Sequence, residues 1–267
     1  MGKIYVPTGK AREYSPQAAN FFDGCDHGCA YCYAPNIRRT TRDKFLEVKL
    51  FKSGLPDFEK SCKERRGKCT QVLFNFIGDP YCDFDKKGDT SVTRQALEIA
   101  LDNKIPIAIL SNGGERILRD LDLFSMFGPN VKIGATLTFS TAEKSLEWEP
   151  GAATPDDRLN ALKICHDKQI KTWASFEPVI DPNESLAVME RSLPYVDVFK
   201  VGKINNFRGL DETIDWTSFL STAVKILRDA GKGFYIKKDL REAAPSIRLY
   251  GSEVMHDDFA LPSWVEE

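Results

Sequence analysis

The 267-residue sequence has no apolar run approaching the roughly 20 residues that a membrane helix needs, so no membrane partner is expected. Its opening residues, from Met1 to Pro7, lack a basic start leading into an apolar stretch, and no secretory leader is expected. Excess charge is also scarce. Thirty-seven Lys and Arg against 39 Asp and Glu leave a formal net charge of −2, which argues against sequence-blind duplex binding but leaves room for a local basic patch. No repeat, low-complexity tract or linker divides the chain. One domain over residues 1–267 is therefore expected, long enough to bury a sizeable core. Seven cysteines without a leader point away from a disulfide framework and toward a reducing cytoplasm and metal chemistry.

Three of those cysteines dominate the sequence. Cys25, Cys29 and Cys32 lie in the run Asp23-Gly24-Cys25-Asp26-His27-Gly28-Cys29-Ala30-Tyr31-Cys32-Tyr33-Ala34, with three residues in the first gap and two in the second. A four-iron, four-sulfur cube takes four thiolates, so a loop offering three leaves one iron open to a non-protein ligand. Two other readings use the same residues. A zinc site with His27 or a later cysteine as fourth ligand would more usually draw Cys-x2-Cys pairs from two separate turns. A closed, non-catalytic cluster module predicts a fourth cysteine close by and a small fold, whereas Cys62 stands thirty residues beyond Cys32. His27 reads as a loop residue that shields a cluster or donates a hydrogen bond to its sulfurs.

Short apolar runs alternate with amphipathic stretches through the rest of the chain, the pattern of repeated β-α units. Strands are expected over 18–22, 71–77, 105–110, 131–139, 171–176, 196–201 and 233–236, and helices over 93–103, 115–126, 155–168, 184–193 and 217–230. Parallel strands joined by helical crossovers close toward a barrel that binds ligands at the C-terminal strand ends. Polar residues fall there: the cysteine loop, Gly78-Asp79-Pro80-Tyr81-Cys82, Ser111-Asn112-Gly113-Gly114, Ser140-Thr141, Glu177-Pro178 and Lys203-Ile204-Asn205-Asn206.

The cysteine spacing, with aromatic Tyr31 just before the third cysteine, resembles the radical S-adenosylmethionine (SAM) superfamily, and the wider run with Gly78-Asp79-Pro80-Tyr81 resembles its branch around spore photoproduct lyase. The resemblance implies an α/β fold, a partial (β/α)6 barrel spanning about 18–240. The cluster loop would be residues 23–34, a strand at 233–240 would narrow the opening, and residues 241–267 would form an extension. It also implies a [4Fe-4S] cluster on Cys25, Cys29 and Cys32 whose open iron chelates SAM, and reductive cleavage to a 5′-deoxyadenosyl radical that abstracts hydrogen from substrate. An electron donor such as flavodoxin or ferredoxin would be a partner. Tyr31 matches the aromatic against the adenine, Gly78 and Asp79 the contact to the cofactor's amino group, and Ser111, Asn112 and Gly113 the turn near the ribose. Thr136, Thr138 and Glu177 are candidates for ribose or substrate.

The branch acts on nucleic acid, so the expected substrate is a nucleobase, nucleoside or nucleic acid, with a peptide or small metabolite as the alternative. In the lyase a cysteine near the end of strand two returns a hydrogen atom. Phe76 occupies that position here, and Cys82 is the nearest thiol: a candidate hydrogen donor, or a small apolar filler. Arg38, Arg39 and Arg42, with Lys200, Lys203, Lys237 and Lys238, are candidates for binding phosphates at the barrel mouth.

Overall fold

A computed structural model describes residues 2–85, 91–205, 207 and 209–266; Asn206, expected after the sixth strand, lies outside the described residues. The strands are β1 (Gln17–Ala19), β2 (Phe22–Asp23), β3 (Lys49–Leu50), β4 (Val72–Phe74), β5 (Ile107–Ser111), β6 (Val131–Thr136), β7 (Lys171–Phe176), β8 (Val198–Val201) and β9 (Gly233–Ile236). The helices are α1 (Ala34–Ile37), α2 (Arg42–Leu46), α3 (Gly54–Arg65), α4 (Val92–Asp102), α5 (Leu121–Phe127), α6 (Ala142–Trp148), α7 (Pro155–Asp167), α8 (Pro182–Ser192), α9 (Trp216–Asp229) and α10 (Lys238–Ala243). None of the described helices is long and apolar enough to cross a membrane.

Seven strands form one parallel sheet in the order β1-β4-β5-β6-β7-β8-β9, leaving β1 and β9 as its edges. This is the expected partial barrel of six units with an added strand. Helices cover the outer face, so strands such as β6 are buried on both sides and read as near-continuous apolar runs. Inside, Trp173 forms the floor. It is fully buried, its ring nitrogen donates to the Ile109 carbonyl at 2.9 Å, and a Cβ on Gly134 would lie 2.4 Å from that nitrogen.

Several expected boundaries shift for local reasons. The strand expected over 71–77 stops at Phe74 because Asn75 takes a left-handed φ of 59°, which carries the chain out of the sheet. The segment 18–22 divides at Asn20, whose side-chain oxygen accepts from the Phe76 and Ile77 N–H groups. Phe22–Asp23 then pairs antiparallel with Lys49–Leu50. The helix expected over 115–126 is a 3-10 turn, Gly114–Asp120, followed by α5. The last expected strand, 233–240, ends at Ile236, and the chain continues as α10.

The N-terminal segment crosses the gap between the sheet's two edges. Tyr5 pairs antiparallel with Ala18 on β1, and the chain then makes a 3-10 turn over Gly9–Glu13. At its end, Glu13 accepts from the Tyr235 hydroxyl at 2.6 Å and the Lys238 N–H at 2.9 Å, on the β9 side. The buried Lys200 ammonium donates to the Glu13 and Tyr14 carbonyls at 2.7 and 3.1 Å. The residues after α10 pass beneath the N-terminal strand ends, where Leu261 exchanges hydrogen bonds with Gln71 and Val265 with Asn130.

Candidate functional site

A cavity of about 580 Å³ opens at the C-terminal ends of the strands. Cys25, Cys29 and Cys32 form one end of it, and Glu177, Asn205 and Lys237 line the other. Glycines let the cysteine loop sit there. Gly24 (φ 118°) and Gly78 (φ 91°) take conformations other residues rarely adopt. A Cβ on Gly24 would meet the Phe45 carbonyl at 2.7 Å, and one on Gly78 the Gly24 carbonyl at 2.3 Å. The loop is tied down by its backbone: Cys25 N–H donates to Phe45 O at 2.9 Å, and Ala30 N–H to Trp148 O at 2.8 Å. The Arg42 guanidinium holds the Cys29 and Cys32 carbonyls at 3.0 and 3.3 Å.

The donor set suits a cationic metal group. Burial pushes all three thiols up, Cys29 to about 12 with the Glu149 carboxylate adding to the effect, so a nearby positive charge is what would hold them as thiolates. His27 lines the same end and is 2% exposed, and its Nε2 has no hydrogen-bond partner among the described residues. A donor so placed fits a cluster sulfur. Among the described residues no three His, Cys, Asp or Glu side chains gather around one point for a single metal ion. Thiolates on three different irons of a cube need not meet at one point.

Asp79 lines the cavity, but its carboxylate serves the scaffold. One oxygen accepts from the Ser111 hydroxyl at 2.6 Å and the Tyr81 N–H at 2.8 Å, the other from the Asn112 N–H at 2.7 Å, and His27 Nδ1 stands 3.6 Å away. Tyr31 is fixed through its hydroxyl to Glu149, which pairs with Arg158 at 2.6 Å; both members of this pair are about 1% exposed. Arg158 in turn donates to the Thr136 and Ala153 carbonyls, which joins the cysteine end to the strand ends. At the opposite end Glu177 accepts from the Tyr14 hydroxyl at 2.5 Å, from Asn205 Nδ2 at 3.0 Å and from the Lys237 ammonium.

Cys25, Cys29, Cys32, Tyr31, Gly78, Asp79, Ser111, Asn112, Thr136 and Glu177 all line the cavity. Cys82, Gly113 and Thr138 do not. Cys82 is 1% exposed, a position that fits the filler reading, and burial raises its thiol pKa far above the ordinary range. Gly113 is a packing glycine, since a Cβ there would lie 2.8 Å from Tyr81 Cβ. Thr138 is fully buried with its hydroxyl unpartnered among the described residues. Three of the four lysines expected at the mouth are engaged internally, Lys200 with backbone carbonyls, Lys203 with Asp211 and Lys237 with Glu177, whereas Lys238 is exposed and pairs with Glu242 along α10. The sequence did not mark Tyr14, which arrives with the N-terminal segment. Nor did it mark Asn75, which is 6% exposed, lines the cavity and has its Nδ2 without a partner among the described residues.

A partial parallel barrel with three thiols at one end of a cavity at the strand ends defines an enzyme scaffold built around metal-cluster chemistry. The chain belongs to the radical SAM superfamily, whose family model matches residues 19–193. That family implies an enzyme that uses SAM and an iron–sulfur cluster and needs a reductant. Among sequence relatives, an uncharacterized protein of Methanocaldococcus jannaschii is 29% identical over 162 residues, covering 60% of this chain and 59% of that protein. An uncharacterized protein of Acidianus two-tailed virus is 26% identical over 211 residues, 73% of this chain and 68% of that protein. The match thus spans about three fifths of the archaeal relative's length. Among solved structures, spore photoproduct lyase complexed with dinucleoside spore photoproduct superposes with a TM-score of 0.64 at 12% identity, covering 86% of this chain and 78% of that one. Streptococcus suis SuiB bound to S-adenosylmethionine gives 0.62 at 12%, covering 87% and 53%. At these identities the likeness concerns the fold.

Proposed function

We propose that the protein binds a [4Fe-4S] cluster through Cys25, Cys29 and Cys32 and acts on a nucleobase, nucleoside or nucleic-acid component. The observation that carries the reading is the placement of the three thiols at one end of a cavity whose other end is polar. The cluster and SAM supply a 5′-deoxyadenosyl radical when bound. The chain supplies position and exclusion of water. With the cluster on the three thiols, His27 Nε2 would be a donor to its sulfurs, Tyr31 would hold the adenine, and Ser111, Asn112 and Thr136 would bind the nucleoside. Asp79 holds the Ser111–Asn112 turn, and so shapes the cofactor's seat indirectly.

Support for a heterocyclic substrate comes from the walls between the two ends. Phe76, Tyr33 and Tyr14 offer faces on which a base can stack, and Asn75 Nδ2, without a partner among the described residues, offers a donor to a ring carbonyl. The polar end of Glu177, Asn205 and Lys237 can bind ribose hydroxyls or the far edge of the base. Spore photoproduct lyase, whose fold this chain shares, is a protein solved with a dinucleoside bound.

The test uses anaerobically reconstituted protein, dithionite and SAM, with 5′-deoxyadenosine measured by mass spectrometry. Formation is expected in the wild type and loss of both iron–sulfur loading and product in Cys25→Ala, Cys29→Ala and Cys32→Ala. Product from any of these variants at the wild-type rate would overturn the assignment. Deuterium transfer from labelled nucleosides, oligonucleotides and peptides into 5′-deoxyadenosine then identifies the substrate class.

A further inference from the structure

Residues 148–153, which lead from the end of α6 toward α7, hold the cysteine loop through their backbone. The Trp148 carbonyl accepts from Ala30 N–H and Gly151 N–H donates to the His27 carbonyl, each at 2.8 Å, while Ala153 N–H donates to the Asn112 carbonyl at 2.9 Å. The approach at Gly151 is too close for a side chain, since a Cβ there would lie 2.5 Å from the Asp26 carbonyl oxygen. Glu149 sits within this brace. One oxygen of its carboxylate accepts from the Tyr31 hydroxyl and from Arg158 Nη1 at 3.3 Å, the other from Arg158 Nη2 at 2.6 Å and the Ser145 hydroxyl at 2.9 Å.

The two charges of this pair act on the loop unequally. The carboxylate touches the loop itself, through the hydroxyl of Tyr31, two residues after Cys29 and one before Cys32. Arg158 turns its remaining donors to the Ala153 and Thr136 carbonyls, both at 2.9 Å. Both charges reach Cys29 with opposite sign, and the influence of the carboxylate is the larger. Glu149 and Arg158 are each about 1% exposed, so solvent and salt screen them little. The potential of an iron–sulfur cluster follows nearby charge and the groups behind its ligands. A net negative field disfavours the added electron and makes the reduced cluster a stronger reductant, the property that cleaving a sulfonium requires. Stability alone does not call for the pair, because apolar residues of similar volume often serve as well as a buried ion pair.

We propose that Glu149 and Arg158 set the reduction potential of the cluster from behind Tyr31, the carboxylate lowering it and the guanidinium limiting how far it falls. Neither residue lines the cavity, so both are positioning residues that act through the cysteine loop. This rests on the function proposed above and concerns the same site.

The test is a redox titration of the anaerobically reconstituted protein without SAM, with the reduced cluster followed by electron paramagnetic resonance. Glu149→Gln is expected to raise the midpoint and Arg158→Met to lower it. Each should change the reduced-to-oxidised ratio at a fixed potential by roughly tenfold, about 59 mV for a one-electron couple. Arg158→Lys keeps the charge and should titrate as wild type, and Glu149→Gln combined with Arg158→Met should fall between the two single variants. Midpoints that move the same way in both charge variants, or stay in place, would overturn the proposal and leave the pair a structural brace. Where a charge variant takes up no iron, Tyr31→Phe decides. It keeps the ring and both charges but loses the hydroxyl dipole aimed at the carboxylate, so its midpoint should fall by a smaller step; an unchanged midpoint would overturn the proposal. A wild type that assembles no [4Fe-4S] cluster would overturn the proposed function together with this inference, whereas wild-type midpoints in loaded variants would strike this inference alone.

Discussion

Asp79 joins three groups from the loops that follow β4 and β5, and its own position is secured by burial at 8% exposure. Replacing it with Asn turns one accepting oxygen into a donor facing an N–H or hydroxyl that already donates. Asp79→Asn should therefore lower stability by about 1–3 kcal/mol, read from the urea unfolding midpoint, and loosen the Ser111–Asn112 turn. An unchanged midpoint would show that the carboxylate does not hold these loops together. At this scale the three cysteines were legible because ligand spacing is a property of the linear chain. Asp79's bonds to Ser111 and Asn112 were not, since those partners lie 32 and 33 residues further along. Asn75 was hidden for a related reason: in sequence it sits within an apolar strand, and only its left-handed backbone turns the amide toward the cavity.

Among the elements, α6 and α7 are coupled through Glu149, just beyond α6, and Arg158, within α7. Removing one member of a buried pair leaves the other charge without compensation. Glu149→Gln should destabilise by about 3–5 kcal/mol, and Glu149→Gln with Arg158→Met by markedly less, as measured by chemical denaturation. Equal losses in the two variants would show that the pair acts through packing alone. The parallel strands β6 to β9 were legible within a few residues, because burial on both faces demands apolar runs. Helices α3 and α6 escaped. Only Gly54, Phe58, Ser61 and Cys62 are buried along α3, and only Ser145 along α6, so neither shows the apolar stripe that announces a helix.

For the whole molecule, Lys200 links the barrel interior to the N-terminal segment. Burial, with Lys237 nearby, lowers its pKa from 10.5 to about 7. An unfolded lysine stays protonated up to its ordinary value, so between about pH 7 and 10.5 the unfolded chain binds more protons and stability gains with rising pH. Below about 7 the buried ammonium carries its full penalty. Lys200→Met should flatten the rise in thermal midpoint measured from pH 7 to 10; a slope equal to wild type would place its origin elsewhere. The same segment has a consequence for biosynthesis. Glu13 finds its partners at Tyr235 and Lys238, separations of 222 and 225 residues. On the ribosome these early residues must wait, unpaired at the barrel's open side, until residues through Lys238 have emerged. A nascent chain stalled before β9 would therefore present an open-sided barrel to chaperones.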